Sequence, residues 1–188
     1  MGWANRITLA RALLTLVLWA LIVYGIRNPA EWVWLTSCAI FVFAAATDIV
    51  DGALARHFGE VSVFGRIADP LVDKLLVLGT MVVLLGITGM EAILPPWAVA
   101  VMMARELMVT AIRGAIEGKG VSFQAMPLGK AKMILQSLAL GGVLLHFAGF
   151  GLIREYNLAY LTVMLATLLT VISGVDYALR AWKILREA

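Results

Sequence analysis

Long apolar runs broken by short polar clusters set the pattern of this chain. The runs cover about residues 7–26, 32–56, 66–88, 93–117, 130–150 and 156–182. Each is near the roughly 20 residues that a helix needs to cross hydrocarbon. The breaks RNPAE, HFGEVSVFG, TGMEA, GKGVSFQAMPLG and GFGLIRE carry the Gly, Pro and charge of turns. The pattern predicts an all-α integral membrane protein with six transmembrane helices, forming one domain over residues 1–188. No repeat or low-complexity tract divides it. The first run has the early positive charge of a secretory signal. Arg11 interrupts it, however, and no small-residue cleavage site follows, so a retained helix is expected.

Composition strengthens the membrane reading. The 188 residues are 62% hydrophobic and the mean hydropathy is +0.95, whereas soluble domains are about half apolar. The net charge of +3 does not point to nucleic acid, because most Lys and Arg flank apolar runs. Anionic membrane lipid and phosphate-bearing substrates are the expected partners. Six spans put both termini on one side. With that side inside, Arg6, Arg11, Arg56, Arg66, Lys119, Lys130, Lys132, Arg180, Lys183 and Arg186 fall at cytoplasmic ends. Only Arg27 and Arg154 fall at outer ends. Trp3, Trp32, Trp34, Trp97 and Trp182 read as interface anchors, and Arg11 reads as a snorkelling side chain with Asn5 as a helix cap. Cys38 is the lone cysteine and reads as a packed residue.

The chemistry concentrates in DIVDGALARHFGEVSVFGRIADPLVDK, residues 48–74. Asp48 pairs with Asp51, and Asp69 with Asp73. Offsets of three and four put each pair on one helical face. Acids at a membrane edge are costly and usually functional. Their natural counter-charge is one or two divalent cations. A short turn between the helices lets the pairs face each other. Gly52 allows a bulky ligand near the backbone, and Arg56 can pair with phosphate or carboxylate in a bidentate way. A structural ion network is the bland reading.

The spacing D-x2-D-G-x2-A-R-x8-G-x3-D-x3-D resembles the signature of the CDP-alcohol phosphatidyltransferases at every fixed position. The resemblance implies transfer of a phosphatidyl group from CDP-diacylglycerol to an alcohol, with release of CMP, at a cytoplasm-facing intramembrane site. It implies Asp48, Asp51, Asp69 and Asp73 as ligands to Mg²⁺ or Mn²⁺, with two ions expected, and Asp73 as general base. On the donor side it implies Gly52, Ala55, Arg56 and Gly65, joined by Asn5 and Thr8 of N-x2-T-x2-R. A homodimer in the inner membrane of a bacterium is a further expectation.

The acceptor is read from the second half of the chain. Arg105 and Arg113 lie in MARELMVTAIRG, and Lys130 and Lys132 in LGKAKM. Snorkelling explains Lys130 alone. It explains Arg105 poorly, since apolar residues flank it within its run. A phosphate-bearing acceptor accounts for the cluster better than a neutral alcohol. Tyr177 is a candidate lining residue, with a packed aromatic as the alternative. RE-x6-R and GKxK resemble the family members that take sn-glycerol 3-phosphate and form phosphatidylglycerophosphate. Rival readings are another acceptor (inositol phosphate, serine or phosphatidylglycerol) or a divalent-cation transporter. His57 is expected as a solvated loop residue and His146 as a hydrogen-bonded packing residue.

Overall fold

The computed structural model describes residues 3–58, 63–118 and 127–187, and the side chains of 3–4, 48–58, 63–67, 127, 185 and 187 lie outside the description. His57 therefore lies outside it as well. Every described element is helical. They are α1 (Trp3–Arg27), α2 (Glu31–Phe58), α3 (Val63–Lys74), a π-helical turn (Leu75–Gly79), α4 (Thr80–Leu84), a 3₁₀ turn (Met90–Ala92), α5 (Pro96–Glu117), α6 (Pro127–Phe147), α7 (Gly151–Glu155) and α8 (Leu158–Glu187).

Among the described residues, Asn5–Arg27, Leu128–Phe147 and Leu158–Ile184 are long and apolar enough to cross a membrane. α5 runs for 22 residues, but Arg105, Glu106, Arg113 and Glu117 interrupt its apolar character. The apolar run expected as one helix over 66–88 is helical without interruption from Val63 to Leu84, with its α-geometry switching to a π-helical turn at Leu75–Gly79. Pro70 sits inside α3 and has no N–H to give. The π-helical turn follows α3 directly. The start of α5 is set by Pro95, extended at φ −61° and ψ 134°, with Pro96 in the first helical turn. α6 ends at Gly149, whose φ is +83°. A Cβ there would also lie 2.9 Å from Glu31 Oε1, so the turn and the close approach both call for glycine.

α8 packs along α6 and α5, and α1 packs along α2 and α3. Leu18, Ile22, Phe41, Met81, Leu84, Met102, Leu140, Leu144 and Val163 fill the core between them. The outside is equally apolar: Leu13, Leu16, Leu107, Leu161, Leu168 and Leu179 are each more than half exposed. A surface of that kind suits hydrocarbon rather than water. Several buried hydroxyls donate to the carbonyl one turn earlier along the chain, which suits lipid. Thr15 donates to the Arg11 carbonyl, Ser37 to Val33, Thr80 to Leu76, Thr167 to Val163 and Thr170 to Ala166.

Several sequence expectations change here. Trp34 is not an interface anchor. It is buried and packs on Phe147 with ring centroids 5.0 Å apart, whereas Trp32, Trp97 and Trp182 are exposed. His146 packs edge-on against Phe147, but its Nδ1 has no hydrogen-bond partner among the described residues. Cys38 is buried and free, as expected.

Trp19 ties α1 to the segment after the π-helical turn. Its Nε1 donates to Thr80 Oγ1 at 3.0 Å, and its ring covers Gly79 where a Cβ would project. Adding a side chain at Gly79 therefore overpacks the contact, at a cost of about 1–3 kcal/mol. Gly79→Ala is expected to lower the thermal unfolding midpoint in detergent. Gly79→Ala with Trp19→Leu should lose less than the sum of the single changes. Additive losses would show that the ring is not what the new methyl meets.

Candidate active site

The first polar cluster joins α1 to α3. Asn5, Thr8, Arg11 and Thr15 recur at three- and four-residue intervals and are all buried, so they form one face of α1. Thr8 Oγ1 donates to Asp69 Oδ1. Arg11 Nη1 donates to Asp73 Oδ1 at 2.6 Å, with Arg11 1% and Asp73 27% exposed. The three-residue step of α1 thus meets the four-residue step of α3 as a two-rung ladder. The snorkelling expectation for Arg11 is overturned by this burial and pairing. Asn5 lies inside α1 rather than at its cap.

A hydrogen bond to a charged partner is typically worth about 1.5–3 kcal/mol, and more is lost when a buried charge is left alone. The ladder therefore fixes both carboxylates of α3 in direction. These are hard oxygen donors, one turn apart on one helix, of the type that Mg²⁺ or Mn²⁺ takes. The side chains of Asp48, Asp51, Gly52, Ala55, Arg56 and Gly65 lie outside the described residues.

The second cluster joins α5, α6 and α8. Glu106 Oε1 accepts from Arg105 Nη1 at 2.8 Å and from Lys132 Nζ. Lys132 Nζ also donates to Gln136 Oε1 at 3.3 Å, and Gln136 Nε2 donates to Thr170 Oγ1 at 3.1 Å. Lys132 is 2% exposed, Arg105 9% and Glu106 12%. Gly174 of α8 lets Arg105 pass, since a Cβ at Gly174 would lie 2.9 Å from Arg105 Cγ. Tyr177, one turn on, is buried.

Lys130 does not join this network. It is exposed, because a two-residue step turns it about 200° from Lys132. Arg113 has no ion pair among the described residues. The Nε atoms of Arg105 and Arg113 are buried without a hydrogen-bond partner there. Two unanswered guanidinium donors, and more cations than carboxylates, make this cluster receptive to an anion.

Between the clusters stands Lys74, which the sequence reading did not single out. It follows Asp73 in α3, and its Nζ donates to Thr110 Oγ1 of α5. Gln136 and Thr170 were also missed. The signal for Gln136 was its place four residues after Lys132 in an otherwise apolar run. A cavity bounded by Gly25, Pro29, Glu31, Trp34, Ile87 and Phe147 lies at the α1–α2 turn. That is the far end of α1 from Thr8 and Arg11, and it holds no part of either cluster.

Comparison with known proteins identifies the family. The profile of the CDP-alcohol phosphatidyltransferase family matches residues 1–173. The CDP-diacylglycerol–glycerol-3-phosphate 3-phosphatidyltransferase of Bacillus subtilis is 33% identical, over 98% of this chain and 97% of its own. A probable phosphatidylglycerophosphate synthase of Mycobacterium tuberculosis is 37% identical, over 95% of this chain and 80% of its own. A Rickettsia felis protein with the same name as the Bacillus one is 30% identical, over 92% of this chain and 91% of its own. The match spans the acidic face of α3 and the cationic network of α5 and α6 alike, and on it the chain belongs to the CDP-alcohol phosphatidyltransferase family.

Proposed function

We infer that this chain transfers the phosphatidyl group of CDP-diacylglycerol to sn-glycerol 3-phosphate, giving phosphatidylglycerophosphate and CMP in phospholipid biosynthesis. Family membership and the names of its relatives support the reaction. The observation that carries the acceptor is the buried Nε donors of Arg105 and Arg113, without hydrogen-bond partners among the described residues, on the helix whose Glu106 also holds Lys132. A phosphate monoester, with close to two negative charges at neutral pH, answers that excess. Serine offers no such group.

In the reaction the acceptor hydroxyl oxygen bonds to the phosphorus that carries diacylglycerol. The bond from that phosphorus to the bridging diphosphate oxygen breaks, and CMP leaves. Asp73 takes the hydroxyl proton. Arg11 aims its carboxylate, and Thr8 does the same for Asp69. Asp48, Asp51, Asp69 and Asp73 would hold two divalent cations, Mg²⁺ or Mn²⁺. Such cations would offset the diphosphate charge and acidify the hydroxyl. Asn5, Thr8, Gly52, Ala55, Arg56 and Gly65 would bind the donor. Arg105, Arg113, Lys132 and Tyr177 would bind or line the acceptor side, whereas Lys130, exposed on another face of α6, would not. The proposed setting is six spans in the bacterial inner membrane, as one domain and a homodimer, with the site toward the cytoplasm. The positive-inside bias supports that orientation.

EDTA is expected to abolish CMP release by the purified chain, and Mg²⁺ or Mn²⁺ to restore it. Full activity without metal would remove the cations from the site. Asp73→Asn should collapse kcat even at saturating acceptor. Arg113→Ala should instead raise the KM for glycerol 3-phosphate about ten- to a hundredfold, with the KM for CDP-diacylglycerol little changed. Orientation is tested separately, in a Cys38→Ala background in intact cells. Asn28→Cys should react with a membrane-impermeant thiol reagent, and Glu60→Cys should not. The reverse pattern would invert the topology.

A further inference from the structure

Among the described residues, Lys74 is the cation that links the two clusters, and its surroundings are unusual for a half-buried ammonium. Its partner is the neutral hydroxyl of Thr110. That hydroxyl has already given its proton to the Glu106 carbonyl, at 2.7 Å. Arg11, Arg105 and Lys132 each meet a carboxylate. Lys74 meets none among the described residues. Lys74 and Lys132 reach the same turn of α5, Lys74 at Thr110 and Lys132 at Glu106 four residues earlier. Like charges held together in an apolar setting are costly unless an anion answers both.

The placement says which anion. Glu106, Thr110 and Arg113 follow one another along α5 at steps of four and three, so they share a face. Lys74 therefore reaches from the aspartate helix to the face of α5 that carries Arg113. Among the described residues, the cations Lys74, Arg105, Arg113 and Lys132 have one carboxylate in ion-pair contact, that of Glu106. We propose that Lys74 binds the phosphate of the acceptor, holding it between α3 and α5 and so setting the acceptor's hydroxyl end beside Asp73, the preceding residue. This rests on the reading of the reaction given above, and it adds to the acceptor site a residue from the helix that bears the metal-binding aspartates.

The test uses the full chain in detergent–lipid micelles, following CMP release with each substrate varied at saturating levels of the other. Lys74→Met is expected to raise the KM for glycerol 3-phosphate at least about tenfold and to leave that for CDP-diacylglycerol within about twofold. Lys74→Gln replaces it should the Met variant fail to fold. Lys74→Arg, which keeps the charge, should recover part of the loss. Thr110→Val removes the hydroxyl but not the ammonium and should leave the acceptor KM within about threefold. Glycerol 3-phosphate alone should raise the unfolding temperature of wild type but not of Lys74→Met. An unchanged acceptor KM in Lys74→Met overturns the proposal. So does an equal loss in Thr110→Val, which makes Lys74 a structural tie, or a raised KM for CDP-diacylglycerol alone, which moves Lys74 to the donor. Wild type separates this from the reaction itself. If it prefers another phosphate-bearing alcohol, the glycerol assignment falls, and the same comparison made with that alcohol decides Lys74. If it prefers a neutral alcohol, both fall.

Discussion

In a chain whose inside and outside are both apolar, a charge cannot rely on water, and each buried cation must find its anion within the protein. Glu106 meets this constraint for two cations at once, since Arg105 and Lys132 converge on one of its oxygens. Removing one member of a buried pair typically costs about 3–5 kcal/mol, because the other is left uncompensated. The shared carboxylate thus holds α5 to α6, and Gln136 and Thr170 extend the tie to α8.

The Arg11–Asp73 pair ties α1 to α3 as Glu106 ties α5 to α6. The protein therefore has an acidic half and a basic half, each internally braced. Thr8 and Arg11 orient the acids without supplying the chemistry themselves. Trp19 sets the position of the segment beyond the π-helical turn. A π turn inside a helix is a frequent mark of a functional site, and here it begins two residues after Asp73.

What the sequence could disclose followed from distance along the chain. Asp69 and Asp73 share a face because four residues make about one turn, and that is legible without a structure. So was the burial of Cys38 in its apolar run. Partners across helices were not legible. Nothing in the order of residues says that Arg11 finds Asp73 rather than lipid headgroups, so a snorkelling arginine was the natural expectation. Trp34 failed for the same reason: tryptophan near a helix end is common at interfaces, and only packing shows that Phe147 covers it. Lys130 and Lys132 look equivalent in a string of letters, yet the helical step exposes one and buries the other. The π-helical turn within the run at 66–88 was not legible, because the apolar letters there carry no mark of it.

Gly174 has a mechanical consequence. Arg105 passes α8 at the one position where a side chain is missing, so the two helices interlock like a peg in a notch. Sliding α8 by one turn would bring Thr170, Val171, Tyr177 or Ala178 to that spot, and each carries a Cβ that the arginine would strike. α5 and α8 are thereby barred from translating past one another while the basic network stays intact. Any rearrangement that admits a bulky lipid or releases its product must be taken up by other helices, with the α5–α8 pair serving as the fixed jaw.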